Sequence, residues 1–524
     1  MGGVIAAGSQ ETAAAGATIL EQGGNAVDAA VAAAFASFIA EVGVVHLGGS
    51  GMAHLYDASN GRSLVYDFFS DAPGRGGTVP DKLDFAEVTI DFGSTTQNFH
   101  LGRAAVAVPG NIAGLCQMAA DYGRLPLTIL LQPAIKLARE GVLMNEFQAN
   151  TAALLTPLYT HTVGMREIFV RNGRILQPGE RLFIPHLAET LMELAEKGAD
   201  LARNGRLAQA IIADQQANGG LLTAQDLREF EVRKLDSIRI HYHDYEVLLP
   251  PPSSSGGVLT AFTLKLLDGF DLHPLAHGST RHLQLLYEVM AATSRAREFW
   301  DRHAMPISDF LSDAFVEQYH KETAASLRWQ QPSAIAPEPR GPNNTSHLSV
   351  IDSDGLAVSL TTSAGESAGY VVPGTGYIPN NMMGEEDLHP LGFHTRPAGE
   401  RIGTMMTPAI VLHGGQPRLV MGSGGSARIR SAIMQVMSNL LDFGLTLEET
   451  VAAARVHIED GVLQCEAGFH ETAVAELESM GYPVNKWPTR SLYFGGAHSV
   501  SRTEKGRLLG AGDNRRGGAT AVVP

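Results

Sequence analysis

The stretch Asn343-Asn344-Thr345-Ser346-His347-Leu348-Ser349-Val350-Ile351-Asp352 decides how this chain is read, because a threonine stands there between a Pro/Gly-rich loop and a strong strand pattern. We read the Asn344–Thr345 bond as a buried cleavage point. Breaking it gives Thr345 a free α-amine beside its own hydroxyl, which joins nucleophile and general base in one residue. An α-amine, with an ordinary pKa of roughly 7.7 to 8.0, is matched to deprotonating that hydroxyl near neutral pH.

Downstream of the threonine the pattern is strand-rich. Residues 348–351 and 356–362 alternate around the turn Ser353-Asp354-Gly355, 409–413 and 418–421 flank Gly414-Gly415, and 499–502 pairs with 507–510. Helices are predicted at 429–443 and 471–480. Upstream the pattern is mainly helical: two helices over 11–40 broken at Gly23-Gly24 with Asn25 as N-cap, a hairpin of 52–56 and 63–69, then helices through most of 112–234. A strand is expected over 237–249, helices follow from Val258 and over 280–300, and 332–342 has the composition of a linker. Sheets covered by helices, with the scissile bond at the start of a central strand, point to a layered α/β architecture.

Composition narrows the function. The chain has 524 residues, 44% of them hydrophobic, and its 57 glycines and 26 prolines are spread along its length, so it is globular. A formal charge of −16, from 39 Lys+Arg against 55 Asp+Glu, repels phosphate backbones and argues against nucleic acid as a partner. Only Cys116 and Cys465 occur, too few for a disulfide framework and without metal-type spacing. The alanine-rich run 25–40 carries Asp28 and is too short for a bilayer, so no membrane partner is expected, and without an evident secretory signal the expected location is cytoplasmic. No metal and no cofactor are expected. His241 and His243 are placed on one face of a strand, His347 is read as a packing or orienting residue, and His389 and His394 are read equally as lid surface or as chemistry.

The chemistry centres on three further segments. Arg418 to Ile429 runs strand, glycine turn, helix, which leaves backbone amides facing an anion, so Gly425 and Ser426 are candidates for an oxyanion hole. Ser363 closes the second hairpin strand and brings a hydroxyl beside the nucleophile. Glu385, Glu386 and Asp387 follow the glycine-rich loop that begins at Pro373.

Taken in order, these motifs resemble the γ-glutamyltransferase (γ-glutamyltranspeptidase) family of N-terminal nucleophile hydrolases over nearly the whole chain. The resemblance rests on residues 23–30, 132–141, 250–257, Thr345-Ser346-His347 with its hairpin, 373–381, Met406-Thr407-Pro408 and 422–429. It implies a four-layer αββα sandwich and a precursor that cuts itself before Thr345. The products would be a large subunit of residues 1–344 and a small subunit of 345–524, which stay associated as one intertwined catalytic domain and heterodimer. It further implies Thr345 as nucleophile, Ser363 in place of a supporting threonine, Gly425 and Ser426 as the oxyanion pair, and Glu385 where the family holds the substrate amino group with an aspartate.

The departures bear on substrate. Phe69 stands where the resemblance implies an arginine for a glutamyl α-carboxylate, Thr404 begins the Thr404-Met405 pair that replaces a Ser-Ser pair, and Gly365 replaces an asparagine. A buried carboxylate without its cation costs on the order of several kcal/mol. Arg401, Arg428 and Arg75 are the substitute cations the sequence offers. The expected activity is therefore that of an autoprocessing threonine amide hydrolase or acyltransferase on a small-molecule amide, resolved by water or an amine. The alternatives are an acylase or amidohydrolase whose acyl donor lacks an α-carboxylate, and a non-catalytic binding protein that keeps the fold.

Overall fold

The structure, a computed structural model, describes residues 2–91, 96–336 and 344–524. Two antiparallel sheets form its centre. Their strands are β1 Gly3–Ala7, β2 Ser50–Asp57, β3 Arg62–Phe68, β4 Arg233–Leu235, β5 Ile238–Tyr242, β6 Tyr245–Leu249, β7 Ser346–Asp352, β8 Leu356–Ser363, β9 Ala409–His413, β10 Gln416–Met421, β11 Ser499–Arg502, β12 Leu508–Ala511 and β13 Ala519–Val523. The first sheet has the order β4-β3-β2-β8-β7-β1-β13 and the second β5-β6-β9-β10-β11-β12.

Alternation along the strands builds the layers. Val4, Ala6, Ile351 and Ala357 of the first sheet meet Leu248, Ile410, Leu412, Val420 and Val500 of the second in a thin core between the sheets. The residues between them in sequence point outward. Ile5, Val350, Val358 and Leu360 pack under the helices α1 (Gln10–Glu21) and α2 (Ala26–Ala40). Val247, Leu249, Val411, Leu419 and Met421 pack under α3 (Ser255–Asp268), α4 (Thr280–His303) and α5 (Arg428–Leu441). Helix, sheet, sheet and helix make the expected αββα sandwich.

The helix α2 is buried along its whole length and begins at a capping box: Asn25 Oδ1 accepts from the amides of Val27 and Asp28, and Asp28 accepts in return from the amide of Asn25. Its first amide, at Ala26, donates to Asp352 at the end of β7, which ties the helix to the strand that Thr345 precedes.

Three expectations are corrected. The N-terminal residues, for which no strand was expected, form β1, a strand paired on both sides. Residues 233–235, at the end of the span read as mainly helical, form a strand. The strand expected over 237–249 is a hairpin whose turn holds His243 at φ +51, so His241 and His243 do not share a strand face; His243 instead bridges Asp268 and Asp442 at 2.8 and 2.6 Å. Of the expected linker, residues 332–336 lie outside helices and strands, while the remainder and Asn343 fall outside the described residues.

Candidate active site

The chain is continuous through Asn344–Thr345, and both residues are buried at the entry to β7. Antiparallel register sets Ser346 opposite Thr362, so Ser363 at the end of β8 lies beside the Asn344–Thr345 bond. Its hydroxyl donates to the carbonyl oxygen of Asn344 at 2.6 Å and accepts from the amide of Gly365 at 3.0 Å. The polarised carbonyl is the one that must be attacked for the chain to be cut here.

The turn from β10 into α5 closes on the same point. A Cβ on Gly424 would fall 2.3 Å from the carbonyl oxygen of Thr345, so only glycine lets the loop approach this closely. Gly425 has φ +115 and Ser426 φ +49, a left-handed turn that precedes the first amides of α5. Arg516 donates to the carbonyl of Thr345 at 3.1 Å, and both Arg516 and Arg428 reach within 3.6 Å of where a Gly425 Cβ would be. Burial, reinforced by Arg428, pulls the Arg516 guanidinium down to about 10. The loop is thus backed by two cations, Arg428 from the motif itself, three residues after Gly425, and Arg516, which approaches it only through the tertiary fold.

A cleft of about 390 Å³ opens on this point and is lined by Thr345, Ser363, Ser426, Phe69, Glu385 and Thr404, with Asp387, Leu388, Ile429 and three methionines completing its wall. Gly365 and Gly425 stand behind this lining: Gly365 is bonded to Ser363 through its amide, and Gly425 immediately precedes Ser426.

The acids after the glycine-rich loop are not a solvated turn. Glu386 is exposed, but Glu385 is 4% exposed, and its Oε1 has no hydrogen-bond partner among the described residues. Burial, with Asp387 and Glu366 close by, pushes the Glu385 carboxyl well above the usual carboxylate range. Asp387 accepts from the Ser426 hydroxyl at 2.9 Å, and burial raises it to about 6.

Two departures in sequence are one feature in space. A Cβ on Gly365, at φ +64, would fall 2.0 Å from Glu385 Oε1 and 2.2 Å from Asn381 Oδ1. The longer acid at 385 occupies the volume that a side chain at 365 would need.

Phe69 is buried with Met382, Met383, Ile402 and Met406, its amide bonded to Asp67 at 3.0 Å. The Pro250-to-Gly257 run braces the facing wall: Ser254 donates to the carbonyl of Met406 and Ser255 to that of Thr404, at 2.6 and 3.2 Å. None of the three substitute cations lines this cleft. Arg401 is 7% exposed and forms ion pairs of 2.6 Å with both Asp67 and Asp71. Arg75 pairs with Asp71 and Asp226, and Arg428 lies 4.5 Å over the Tyr493 ring and pairs with Glu459. Acids and an aromatic ring elsewhere in the fold have claimed them.

His347 is buried between the Thr361 and Ser349 hydroxyls, each at 2.9 Å, and burial holds it well below its ordinary pKa, so it packs and orients as expected. His389, expected on a lid surface or in chemistry, is buried and donates to the carbonyl of Met382 at 2.9 Å. No group of three His, Cys, Asp or Glu able to hold a metal exists among the described residues, and no described helix is long and apolar enough to cross a membrane.

The gamma-glutamyltranspeptidase family profile matches residues 12–523. The chain is 33% identical to the acylase ACY 1 proenzyme of Pseudomonas sp. (strain SE83), over 99% of this chain and 93% of that one. It is 31% identical to the glutathione hydrolase proenzyme of Escherichia coli (strain K12), over 98% and 90%. Among solved structures it superposes on the cephalosporin acylase from Bacillus halodurans with a TM-score of 0.83 at 25% identity, covering 99% of this chain and 95% of that one.

Proposed function

The chain belongs to the gamma-glutamyltranspeptidase family of N-terminal nucleophile hydrolases, enzymes that hydrolyse amides or transfer their acyl groups, and we propose that it is a self-processing acylase whose nucleophile is Thr345. In the first step the Thr345 hydroxyl attacks the carbonyl carbon of Asn344, the C–N bond breaks, and the hydroxyl proton passes to the departing nitrogen. Water then cleaves the resulting ester, leaving a carboxylate on Asn344 and a free α-amine on Thr345. The two pieces, 1–344 and 345–524, remain together as a heterodimer.

In turnover the α-amine takes the hydroxyl proton as Thr345 attacks the substrate amide, then hands it to the leaving amine. The amides of Gly425 and Ser426 receive the charge that develops on the carbonyl oxygen, an electrostatic contribution of about 3 kcal/mol per donor in comparable sites. Water, or a second amine, resolves the acyl-enzyme. The observation that carries this reading is the 2.6 Å bond from Ser363 to the carbonyl of Asn344, made at the peptide bond that precedes Thr345.

The acyl group we assign is one without an α-carboxylate. Phe69 and the methionines give an apolar wall, Glu385 and Asp387 give acids, and the described residues lining the cleft include no cation. A glutamyl carboxylate there would be desolvated with no cation to pair it. The amino-bearing or neutral acyl chain of an acylase substrate meets no such cost. Denaturing electrophoresis with N-terminal sequencing tests the nucleophile: the wild type gives two fragments, one beginning at Thr345, and Thr345→Ala stays whole. A Thr345→Ala chain that still splits at this bond rules the reading out.

A further inference from the structure

Asn344 is held by its side chain as well as by its carbonyl. Its Nδ2 donates to the main-chain carbonyl of Gly43 at 3.1 Å and to the carboxylate of Glu366. Glu366 is 2% exposed, and its own position is set by Asn381, whose Oδ1 accepts from the amides of Glu366 and Ser367 at 2.7 and 3.2 Å. Arg516, which donates to the carbonyl of Thr345, lies near enough to Glu366 for the two charges to interact. Both groups that face the Asn344 amide are acceptors. The socket therefore matches a side chain that brings N–H donors, at the length of asparagine. A carboxylate in the same place would face like charge, and an apolar side chain would bring no donor to buried acceptors.

We propose that Glu366 and the Gly43 carbonyl form a recognition socket for the residue before the cut, which makes self-cleavage selective for asparagine at 344. Glu366 is a positioning residue in this scheme. It fixes the Asn344 side chain, so that the carbonyl stays on the Ser363 hydroxyl and within reach of Thr345 while the ester forms. The inference rests on Thr345 being the group that attacks.

The test is a time course of uncut full-length chain on denaturing gels, with mass spectrometry of the new termini. The variants are Asn344→Asp, Asn344→Leu, Glu366→Gln and the Asn344→Asp/Glu366→Gln pair, with Thr345→Ala alongside. Asn344→Asp and Asn344→Leu are expected to slow cutting by roughly tenfold or more, the scale of a hydrogen bond to a charged group. The pair is expected to cut faster than Asn344→Asp alone, because the amide introduced at 366 donates to the carboxylate introduced at 344; a merely structural role for Glu366 would make the two losses add. Wild-type rates in both Asn344 variants, or a pair no faster than the Asp variant, overturn the socket. If Glu366→Gln does not fold, as judged by size exclusion, the two Asn344 variants decide alone. Cutting in Thr345→Ala removes the nucleophile reading instead, so the two failures are told apart.

Discussion

The hydroxyl of Ser363 lies 2.6 Å from the carbonyl oxygen of Asn344, a residue 19 positions earlier that the hairpin of β7 and β8 brings alongside. On the mechanism we propose, this hydroxyl does for the protein's own peptide bond what an oxyanion hole does for a substrate, by meeting negative charge as it forms on oxygen.

Removing it tests that role. Ser363→Ala should slow appearance of the fragment beginning at Thr345 by about ten- to a hundredfold, the cost of a charge-assisted bond of roughly 1.5–3 kcal/mol. Ser363→Thr, which keeps the hydroxyl, should stay close to wild type. Quantifying uncut chain against time checks both, and unchanged processing in Ser363→Ala would show that the bond is incidental.

The substrate assignment we propose gives Phe69 the exclusion of a glutamyl carboxylate from the cleft. Wild-type enzyme should cleave amides of neutral or amino-bearing acyl groups in preference to γ-glutamyl anilides. Phe69→Arg should move the ratio of kcat/KM values toward the γ-glutamyl compound by about tenfold, since a single buried pairing is worth at least about 1.4 kcal/mol. Steady-state rates on matched anilides measure this, and a wild type that prefers the γ-glutamyl compound would contradict the substrate assignment.

The packing of Glu385 against Gly365 predicts a coupled pair. Gly365→Asn alone forces a side chain into a left-handed position already filled by two oxygens, and should destabilise the chain by about 1–3 kcal/mol. Combined with Glu385→Asp, which shortens the intruding acid, the loss should be smaller than the sum of the two single changes. Thermal unfolding midpoints of the four proteins give the coupling directly.

Stability should depend on pH through Glu41, which caps α2 and accepts from Thr12 at 2.6 Å and from Ser346, the residue after Thr345. Burial raises its carboxyl from 4.5 to about 7. Because the folded state holds this proton more tightly than the unfolded chain, the contribution is complete below the unfolded value and is lost as pH rises through the folded one, about 3 kcal/mol in all. In a Thr345→Ala background, kept in one piece, unfolding midpoints should fall between about pH 4.5 and 7, and Glu41→Gln should flatten that fall. A slope unchanged by Glu41→Gln would assign the titration to another group.

What is legible in the sequence follows from locality. The hairpin of β7 and β8 is readable because turn and alternation lie within a few residues, and the loop at 422–427 because its glycines sit between a strand and a helix. β1 is not, since Gly3-Val4-Ile5-Ala6-Ala7 is buried on both faces and carries no alternation of polarity. Glu366 and Arg516 leave no trace in the sequence because their partners are remote or lack a motif: Arg516 reaches Thr345 across 171 residues. Arg401 looks available in the sequence for the same reason. Its charge is consumed by Asp67 and Asp71, some 330 residues away in the chain, and no local pattern records that.

The placement of β1 has a final consequence. Gly3–Ala7 lies between Ser346–Asp352 and Ala519–Val523, both from beyond the proposed cut, so severing that one peptide bond would remove no ladder of the sheet. The halves can part only if the sandwich itself melts, and the working lifetime of the mature enzyme is then governed by that barrier and not by any affinity between two docked surfaces.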